Sequence, residues 1–283
     1  MSTPKISTEV VTKGAVDIAI AHNVKDLVSL KGYILPKILV FHNKLSTEIS
    51  LGVNEIKRDD YLSKISPLLT DVKKVFISES KRQDWAMDGE VILPGIDVDN
   101  YGGYRGESRS VLRVGNLLKE RDLMMGFSSG EHILSGLPSV TLGMNPKIEG
   151  SRLSAGFDDL ISHYRSQRVF LNTTAENYED GYNLSLLEAM AVGMPIISTA
   201  NKTSPIKNGV NGFISKDLKY LIQCTTSLLD DPKLAKALGE KARETVRDKF
   251  PKSQFIKLWK GCIQDTIFEF LEDSGISVSN KST

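Results

Sequence analysis

Asp180 and Glu188 are the acids best placed to do chemistry, because they lie eight positions apart around the predicted start of a helix. A carboxylate accepts hydrogen bonds from two neighbouring hydroxyls, such as those of a ribose or a hexose. With a rise of about 1.5 Å per helical residue, the two acids can reach groups on one ligand that are about a nucleotide apart. The spacing alone also fits a capped surface helix with one ordinary acid.

The residues around Glu188 predict where that helix begins and ends. Asn183 is the predicted N-cap, because its side chain can accept from amides two or three residues further on. Gly193 followed by Pro195 ends the helix. The apolar face is predicted to carry Leu184, Leu187 and Ala191.

The start of this helix is also a predicted phosphate site. The backbone amides of Gly181, Tyr182, Asn183 and Leu184 are expected to point out of the N-terminus, together with the positive end of the helix dipole. That arrangement attracts a phosphate without a basic side chain.

Short apolar runs and longer helical patterns alternate along the chain and must position these residues. The predicted strands are residues 16–21, 37–41, 73–78, 90–93, 110–114, 139–142, 168–171 and 195–198. The clearest predicted helices are residues 59–69, 157–166 and 183–192. Strands that are continuously apolar and separated by helices indicate an α/β fold with a parallel sheet covered on both faces. The loop before Asn183 follows such a strand, at the sheet edge where ligands bind.

The segment 179–195 resembles the signature of the retaining family-four glycosyltransferases, the glycosyl transferases group 1 domain. In that signature an acid, seven residues and a glutamate bracket Gly-Phe-Gly-Leu; here the first acid is Asp180, and the element reads Gly181-Tyr182-Asn183. Residues 204–214 resemble the loop and strand that follow in the family, and residues 91–97 resemble its interdomain segment. The three matches occur in the family's order.

This resemblance implies two facing Rossmann-like domains of the GT-B type, with a nucleotide sugar held mainly by the C-terminal domain. Glu188 would grip the ribose hydroxyls, and Asp180 would contact the transferred sugar. Such enzymes usually need no metal and no further cofactor, because fixed donors neutralise the leaving diphosphate.

The cationic donors depart from the family pattern. The family usually shows Gly-Arg, two or three residues and Lys-Gly after the first strand of the C-terminal domain. Here Asn116 stands where arginine is expected and is assigned to donor binding, and Arg121 stands where lysine is expected. Lys119 is a second candidate for the diphosphate and Arg113, inside a strand, a weaker third. A surface helix start of mixed charge is the alternative interpretation.

In the N-terminal half, residues 17–22 resemble the family's strand that ends in a histidine facing the donor sugar. This resemblance assigns His22 to the active site, and His42 ends the next strand in a similar way. A structural role is the alternative for both histidines. Residues 1–15 cannot supply the strands and the glycine-rich loop that come earlier in relatives, so we expect a shortened, incomplete N-terminal domain.

We therefore expect four regions. Residues 1–105 form a truncated acceptor-side domain, 106–250 a nucleotide-sugar-binding domain, 251–272 a helix that crosses back to the N-terminal domain, and 273–283 a flexible tail. An incomplete sheet exposes an unpaired edge, which a partner subunit or a dimer would cover.

Composition excludes several classes of protein. Lys+Arg 36 against Asp+Glu 35 leaves a net charge of +1, so a basic field for nucleic acid is missing. The two cysteines have neither metal-ligand spacing nor a disulfide framework. No signal peptide or membrane span is predicted. A cytoplasmic location follows, with peripheral membrane association as the alternative.

The leading hypothesis is a retaining, metal-independent hexosyltransferase that uses a nucleotide diphosphate sugar and an unidentified sugar, lipid or protein acceptor. A non-catalytic or partner-dependent subunit that binds nucleotide sugar is the main alternative. A third hypothesis keeps the fold but changes the chemistry to epimerisation or hydrolysis. The sequence does not identify the base, the sugar or the acceptor.

Overall fold

The computed structural model describes residues 16–52 and 56–274, and its contacts divide them into two compact units. The second unit is Pro94–Gln254, and the first comprises the described residues on either side of it. Each unit contains its own parallel sheet. The predicted α/β fold with two Rossmann-like domains is confirmed. Our predictions for residues 1–15 and 275–283 concern parts of the chain outside the described residues.

The secondary structure alternates between strands and helices in both units. The strands are Ala19–Ala21 (β1), Lys37–Phe41 (β2), Val72–Phe76 (β3), Glu90–Val91 (β4), Ser108–Val114 (β5), Ser139–Leu142 (β6), Gln167–Asn172 (β7), Ile196–Thr199 (β8) and Gly212–Ser215 (β9). The helices are Val24–Ser29 (α1), Leu45–Ser50 (α2), Arg58–Ile65 (α3), Glu79–Trp85 (α4), Asp122–Met125 (α5), Phe127–Leu134 (α6), Phe157–Ser166 (α7), Leu184–Val192 (α8), Leu218–Asp230 (α9), Pro232–Lys249 (α10) and Lys252–Asp273 (α11). Short 3₁₀ turns span Ser66–Leu68 and Val98–Asn100. None of the helices within the described ranges has the length and apolar character needed to cross a bilayer.

The sheet of the first unit has the order β1-β2-β3-β4 and is parallel throughout. Strand β2 is apolar and buried from Ile38 to Phe41, as expected for a strand whose two faces are both covered. Leu39 and Phe41 pack into one cluster with Trp85 of α4. Ile38 and Val40 pack into the opposite cluster with residues of α11 such as Cys262. The two-sided burial explains why the strand lacks a polar alternation.

The sheet of the second unit has the order β6-β5-β7-β8-β9, again parallel. From the β5–β7 pair the chain builds outward in both directions, so the order reverses at that pair. In open α/β sheets, ligands bind outside the carboxyl ends of the strands at such a switch point. The loops after β5 and β7 are therefore the part of this unit that the topology marks for a ligand.

Helices cover both faces of the second sheet and hold these loops on a rigid base. All six residues of β7 are buried. Phe170 packs with α7, α8 and α10 on one face, while Val169 and Leu171 pack with α6 and α9 on the other.

The domain boundary differs from the predicted one. We expected the first domain to end at residue 105, whereas the division falls after Leu93. The reason is that Ile96 and Val98 are buried in the core of the second unit, and the Ile96 amide donates to the Phe250 carbonyl at 2.8 Å. Glycine-rich composition indicated a connection but not these anchoring side chains. Helix α11 belongs to the first unit from Phe255 onward, so the second division falls after residue 254 and not after 250.

Candidate functional site

The loops that follow β5 and β7 are tied together at the switch point. The Thr173 hydroxyl donates to the Met125 carbonyl at 2.7 Å, and the Ala175 amide donates to the Met124 carbonyl at 2.9 Å. The loop with the candidate cations and the loop that leads to Asp180 are thus joined by direct hydrogen bonds.

Asp180 is held in place by the peptide that follows it. The Gly181 amide donates to the Thr203 hydroxyl at 2.7 Å, and Asn172 donates to the Gly181 carbonyl at 3.4 Å. The Asp180 amide donates to the Glu179 carboxylate at 2.8 Å. Asp180 itself is only 1% exposed. These bonds fix the backbone that carries the buried Asp180 side chain at the end of the β7 loop.

A hydrogen bond made by the Gly181 amide corrects one part of the predicted phosphate site. We expected its amide to point out toward a ligand, but Thr203 accepts it. The close approach also explains the glycine, since a Cβ at position 181 would lie 2.6 Å from the Ser204 nitrogen. Gly181 serves to fix the loop that carries Asp180.

Asn183 caps helix α8 as predicted. Its backbone is extended, and its side-chain oxygen accepts from the Leu186 amide at 2.9 Å. Leu187 and Ala191 are fully buried, whereas Leu184, on the same face by its spacing, is 58% exposed. The difference arises because Leu184 is the first helical residue and lies at the sheet edge. The backbone of Leu184 lies at the start of α8, where the phosphate site was predicted.

The N-cap gives a first prediction that separates stability from binding. Asn183→Ala should lower the free energy of unfolding by about 1 kcal/mol and speed hydrogen exchange of the Leu186 amide. Asn183→Asp keeps the accepting oxygen, so stability and exchange should stay near wild type. The added negative charge should nevertheless weaken diphosphate binding at this helix start. Unchanged exchange in Asn183→Ala would show that the cap bond does not form in solution.

Glu188 lies on the second turn of α8 and is gripped by two tyrosines. The Tyr101 hydroxyl donates to Oε1 at 3.2 Å, and the Tyr164 hydroxyl donates to Oε2 at 3.0 Å. Burial raises the pKa of Glu188, while the two donated hydrogen bonds act in the opposite direction. The sequence analysis did not predict a role for either tyrosine. The available signals were the place of Tyr101 in a glycine-rich segment and that of Tyr164 on a predicted helix.

Tyr182 is packed against the protein. Its ring lies 5.1 Å from the Phe250 ring and joins the core cluster of the second unit. The expected donor-binding role of Tyr182 therefore rests on its backbone, because its ring belongs to this packing.

Asn116 braces two loops. Its side-chain oxygen accepts from the Met144 amide at 2.8 Å, which ties the loop after β5 to the loop after β6. Gly143 permits this approach with a φ of +123°, since a Cβ there would lie 2.1 Å from the Gly115 carbonyl oxygen. An arginine at position 116 has no acceptor for that amide. This contact accounts for asparagine where the family pattern has arginine.

The candidate cations differ in their surroundings. Arg121 is partly buried and contacts the Met124 sulfur at 3.1 Å, whereas Lys119 is exposed. Arg113 is buried and already paired, with the Glu131 carboxylate at 2.8 Å and the Thr141 hydroxyl at 3.1 Å. The Arg113 side chain is thus already paired with residues of α6 and β6. Arg121 and Lys119 remain the candidates for an anionic ligand.

A small cavity lies where these elements meet. It measures about 20 Å³ and is lined by Arg113, Asn172, Thr173 and Asn183 together with apolar residues of β5, β7 and the segment that follows β5. That volume holds about one water molecule, so a larger ligand must lie outside it, at the surface of the loops.

In the first unit, His22 follows β1 and His42 follows β2. His22 Nδ1 and His42 Nε2 are 2.9 Å apart, and the rings stack with centroids 5.2 Å apart. Partial burial, His22 and Lys81 all lower the pKa of His42, so it is neutral at pH 7. Both line a cavity of about 670 Å³ with an apolar floor that includes Trp85. The predicted active-site role of His22 remains a prediction.

Across residues 16–52 and 56–274, no group of three or more His, Cys, Asp or Glu side chains is arranged to hold a metal ion.

Comparison with known proteins finds a family match for the region that contains β7 and α8. Residues 132–231 match the family described as glycosyl transferases group 1, and this match includes both Asp180 and Glu188. The N-acetyl-alpha-D-glucosaminyl L-malate synthase of Bacillus anthracis is 28% identical over 127 residues, which is 44% of this chain and 33% of that protein. The alignment thus spans about a third of this relative.

Solved structures show the same fold over most of the chain. HepE of Anabaena, in complex with UDP and glucose, superposes with a TM-score of 0.70 and 14% identity, covering 90% of this chain and 80% of that one. A TarM variant from S. aureus, in complex with UDP, gives a TM-score of 0.65 and 16% identity, covering 87% of this chain and 55% of that one. At these identities the likeness establishes the fold.

Proposed function

We propose that this chain, whose residues 132–231 match the glycosyl transferases group 1 family, is a retaining glycosyltransferase that moves a hexose from a nucleotide diphosphate sugar to an acceptor. The carrying observation is the placement of Asp180 and Glu188. Both lie within the matched region, after β7 and on α8, beside the switch point of a parallel sheet. The UDP bound by HepE supports a uridine nucleotide as the first donor to test.

The proposed roles follow from position. Glu188 accepts hydrogen bonds from the ribose diol, and the start of α8 with Arg121 or Lys119 binds the diphosphate. Asp180 contacts the sugar and stabilises positive charge that develops at its anomeric carbon. The bond from that carbon to the phosphate oxygen breaks, and a bond to the acceptor oxygen forms on the same face. The departing phosphate takes the acceptor's proton, so neither a protein nucleophile nor a metal is required.

Product analysis tests this function directly. The chain is incubated with radiolabelled UDP-hexoses, with and without panels of sugar, lipid and protein acceptors. We expect a labelled glycoside, with the anomeric configuration of the donor retained, only when an acceptor is present. Free sugar without an acceptor would indicate hydrolysis, and an altered nucleotide sugar would indicate epimerisation. Thermal stabilisation by UDP, GDP and ADP identifies the base independently of turnover.

A non-catalytic or partner-dependent nucleotide-sugar-binding subunit is the second candidate function. One observation favours it: Asn116 replaces the arginine of the family pattern and is used to brace Met144. Nucleotide binding without any product, across all acceptors, would support this candidate.

Glu188 gives the most direct prediction for binding. Glu188→Gln should weaken nucleotide affinity about 10- to 150-fold, since a hydrogen bond to a charged group contributes roughly 1.5–3 kcal/mol. Calorimetric titration with the nucleotide that stabilises the chain most provides the measurement. Glu244→Gln, which removes an exposed carboxylate paired with Lys241 on α10, is the control for charge. Equal affinity in wild type and Glu188→Gln would defeat the assignment.

A further inference from the structure

The carboxylate of Glu188 is already oriented before any ligand is bound. Each of its oxygens accepts one tyrosine hydroxyl, Oε1 from Tyr101 and Oε2 from Tyr164. A carboxylate offers about four lone-pair sites, so two tyrosine bonds leave two sites for ligand hydroxyls. The two donors fix the plane of the carboxylate from opposite ends.

Both tyrosines are themselves held firmly. Tyr164 on α7 is fully buried and packs near Phe170 at the centre of the second unit. Tyr101 packs edge-on against Phe157, with ring centroids 5.9 Å apart. Its neighbour Gly102 accepts a hydrogen bond from the Arg165 side chain at 2.7 Å. Tyr101 remains partly exposed, and Tyr164 does not reach solvent.

We propose that Tyr101 and Tyr164 are positioning residues that hold Glu188 ionised and aimed at a ribose diol, and so make the chain select ribonucleotides over 2′-deoxyribonucleotides. The inference deepens the proposed function and rests on it. A carboxylate that is pre-oriented loses less freedom when it binds two hydroxyls. A freely rotating carboxylate would discriminate less, because either oxygen could turn to the remaining hydroxyl.

The same contacts set the pH dependence of nucleotide binding. The groups facing Glu188 are Tyr101 from the connection and Tyr164 from α7; Asp97 acts on Tyr101, and Ser185 bonds Tyr164. Arg243 of α10, which packs on α8, donates instead to the carbonyls of Val98 and Ala191. Burial raises the pKa of Glu188, and the tyrosine hydroxyls oppose that rise. Removing a hydroxyl therefore raises the pKa further.

The sign of the expected change follows. Ligand hydroxyls donate best to the ionised carboxylate, so affinity is full above the pKa of Glu188 and falls as the pH drops through it. Tyr101→Phe and Tyr164→Phe should move the midpoint of that fall to higher pH. They should also reduce the preference for UDP over 2′-deoxy-UDP by about 2- to 10-fold, the effect of one hydrogen bond.

Calorimetric titration of UDP and 2′-deoxy-UDP from pH 5 to pH 8 tests the proposal. Tyr104→Phe is the matched control, because Tyr104 lies in the same segment but donates to the Arg168 carbonyl at 2.7 Å. The control should keep the wild-type preference and midpoint, although its stability can change. Equal preference in wild type, Tyr101→Phe and Tyr164→Phe would overturn the proposal. Tighter UDP binding in Tyr101→Phe would also overturn it, by showing that Tyr101 occupies the ribose position.

A second measurement separates this inference from the proposed function. Carbon-13 NMR titration reports the pKa of the Glu188 carboxyl without any nucleotide. If UDP fails to bind wild type, the proposed donor is wrong, and the NMR pKa alone then decides whether the tyrosines hold Glu188 ionised. If UDP binds wild type but both the preference and the NMR pKa ignore the substitutions, the function stands and the inference fails.

Discussion

Asp180→Asn is expected to reduce sugar transfer by about 10²–10³-fold while leaving affinity for the free nucleoside diphosphate nearly unchanged. The proposed role of Asp180 is toward the transferred sugar, where its negative charge opposes the positive charge that develops as the phosphate departs. Asparagine has nearly the same shape but no charge. The loss should therefore fall on kcat and not on nucleotide binding.

The surroundings of Asp180 allow a loss of transfer to be assigned to the lost charge. The peptide after it is fixed by Thr203 and Asn172, so the loop does not depend on the charge of position 180 alone. Glu179→Gln is the matched control, because it removes the same charge one residue earlier and keeps an oxygen that can accept the Asp180 amide. We expect it to keep most of the transfer rate.

Steady-state kinetics with a labelled donor and calorimetry with the free diphosphate provide the two measurements. A matching loss in both would mean that the substitution damaged the loop before α8. A normal transfer rate in Asp180→Asn would remove Asp180 from the reaction.

The architecture was predictable from the sequence because strands that are buried on both faces have continuous apolar sequences. Residues 168–171 and 195–198 appear in the structure as parts of β7 and β8, at nearly the predicted positions. The cap at Asn183 was equally accessible, since an N-cap depends on residues only three positions apart. The predicted helix 59–69 ends earlier, at Ile65, because Pro67 follows and has no amide to donate.

The contacts that adjust the site were not predictable in the same way. Tyr101 and Glu188 are 87 positions apart, and Gly181 and Thr203 are 22 apart. Such pairs depend on where the tertiary fold places two loops, which a local pattern does not encode. The same limit applies to Asn116, whose partner Met144 belongs to the loop after another strand.

The acids of the site are thus better supported by sequence pattern and contacts than its cations are. Asp180 and Glu188 come from a single segment whose spacing is preserved, and the structure fixes that segment by several hydrogen bonds. The cations come from the β5 loop, where one family position is replaced by Asn116. Whether the chain catalyses transfer therefore depends most on Arg121 and Lys119.

Arg121→Ala is expected to lower turnover by about 10²–10³-fold, and Lys119→Ala by less than about 10-fold. Arg121 takes the position of the family's lysine, lies partly buried beside Met124, and belongs to the loop that is tied to the β7 loop. Its planar fork can bind two phosphate oxygens at once. Lys119 is exposed and presents a hydrated point charge. The effect should be larger on UDP affinity than on uridine affinity, because only UDP carries the diphosphate.

Arg121→Lys is the matched variant, since it keeps the charge but loses the fork, and it should fall between wild type and Arg121→Ala. Kinetics with a labelled UDP-hexose and calorimetry with UDP and uridine give the comparison, and thermal unfolding checks that loss of the Met124 contact leaves the fold intact. A larger loss in Lys119→Ala would transfer the diphosphate role to Lys119. Wild-type turnover in both alanine variants would remove both cations from the reaction, and unchanged UDP affinity without turnover in any protein would favour the non-catalytic subunit.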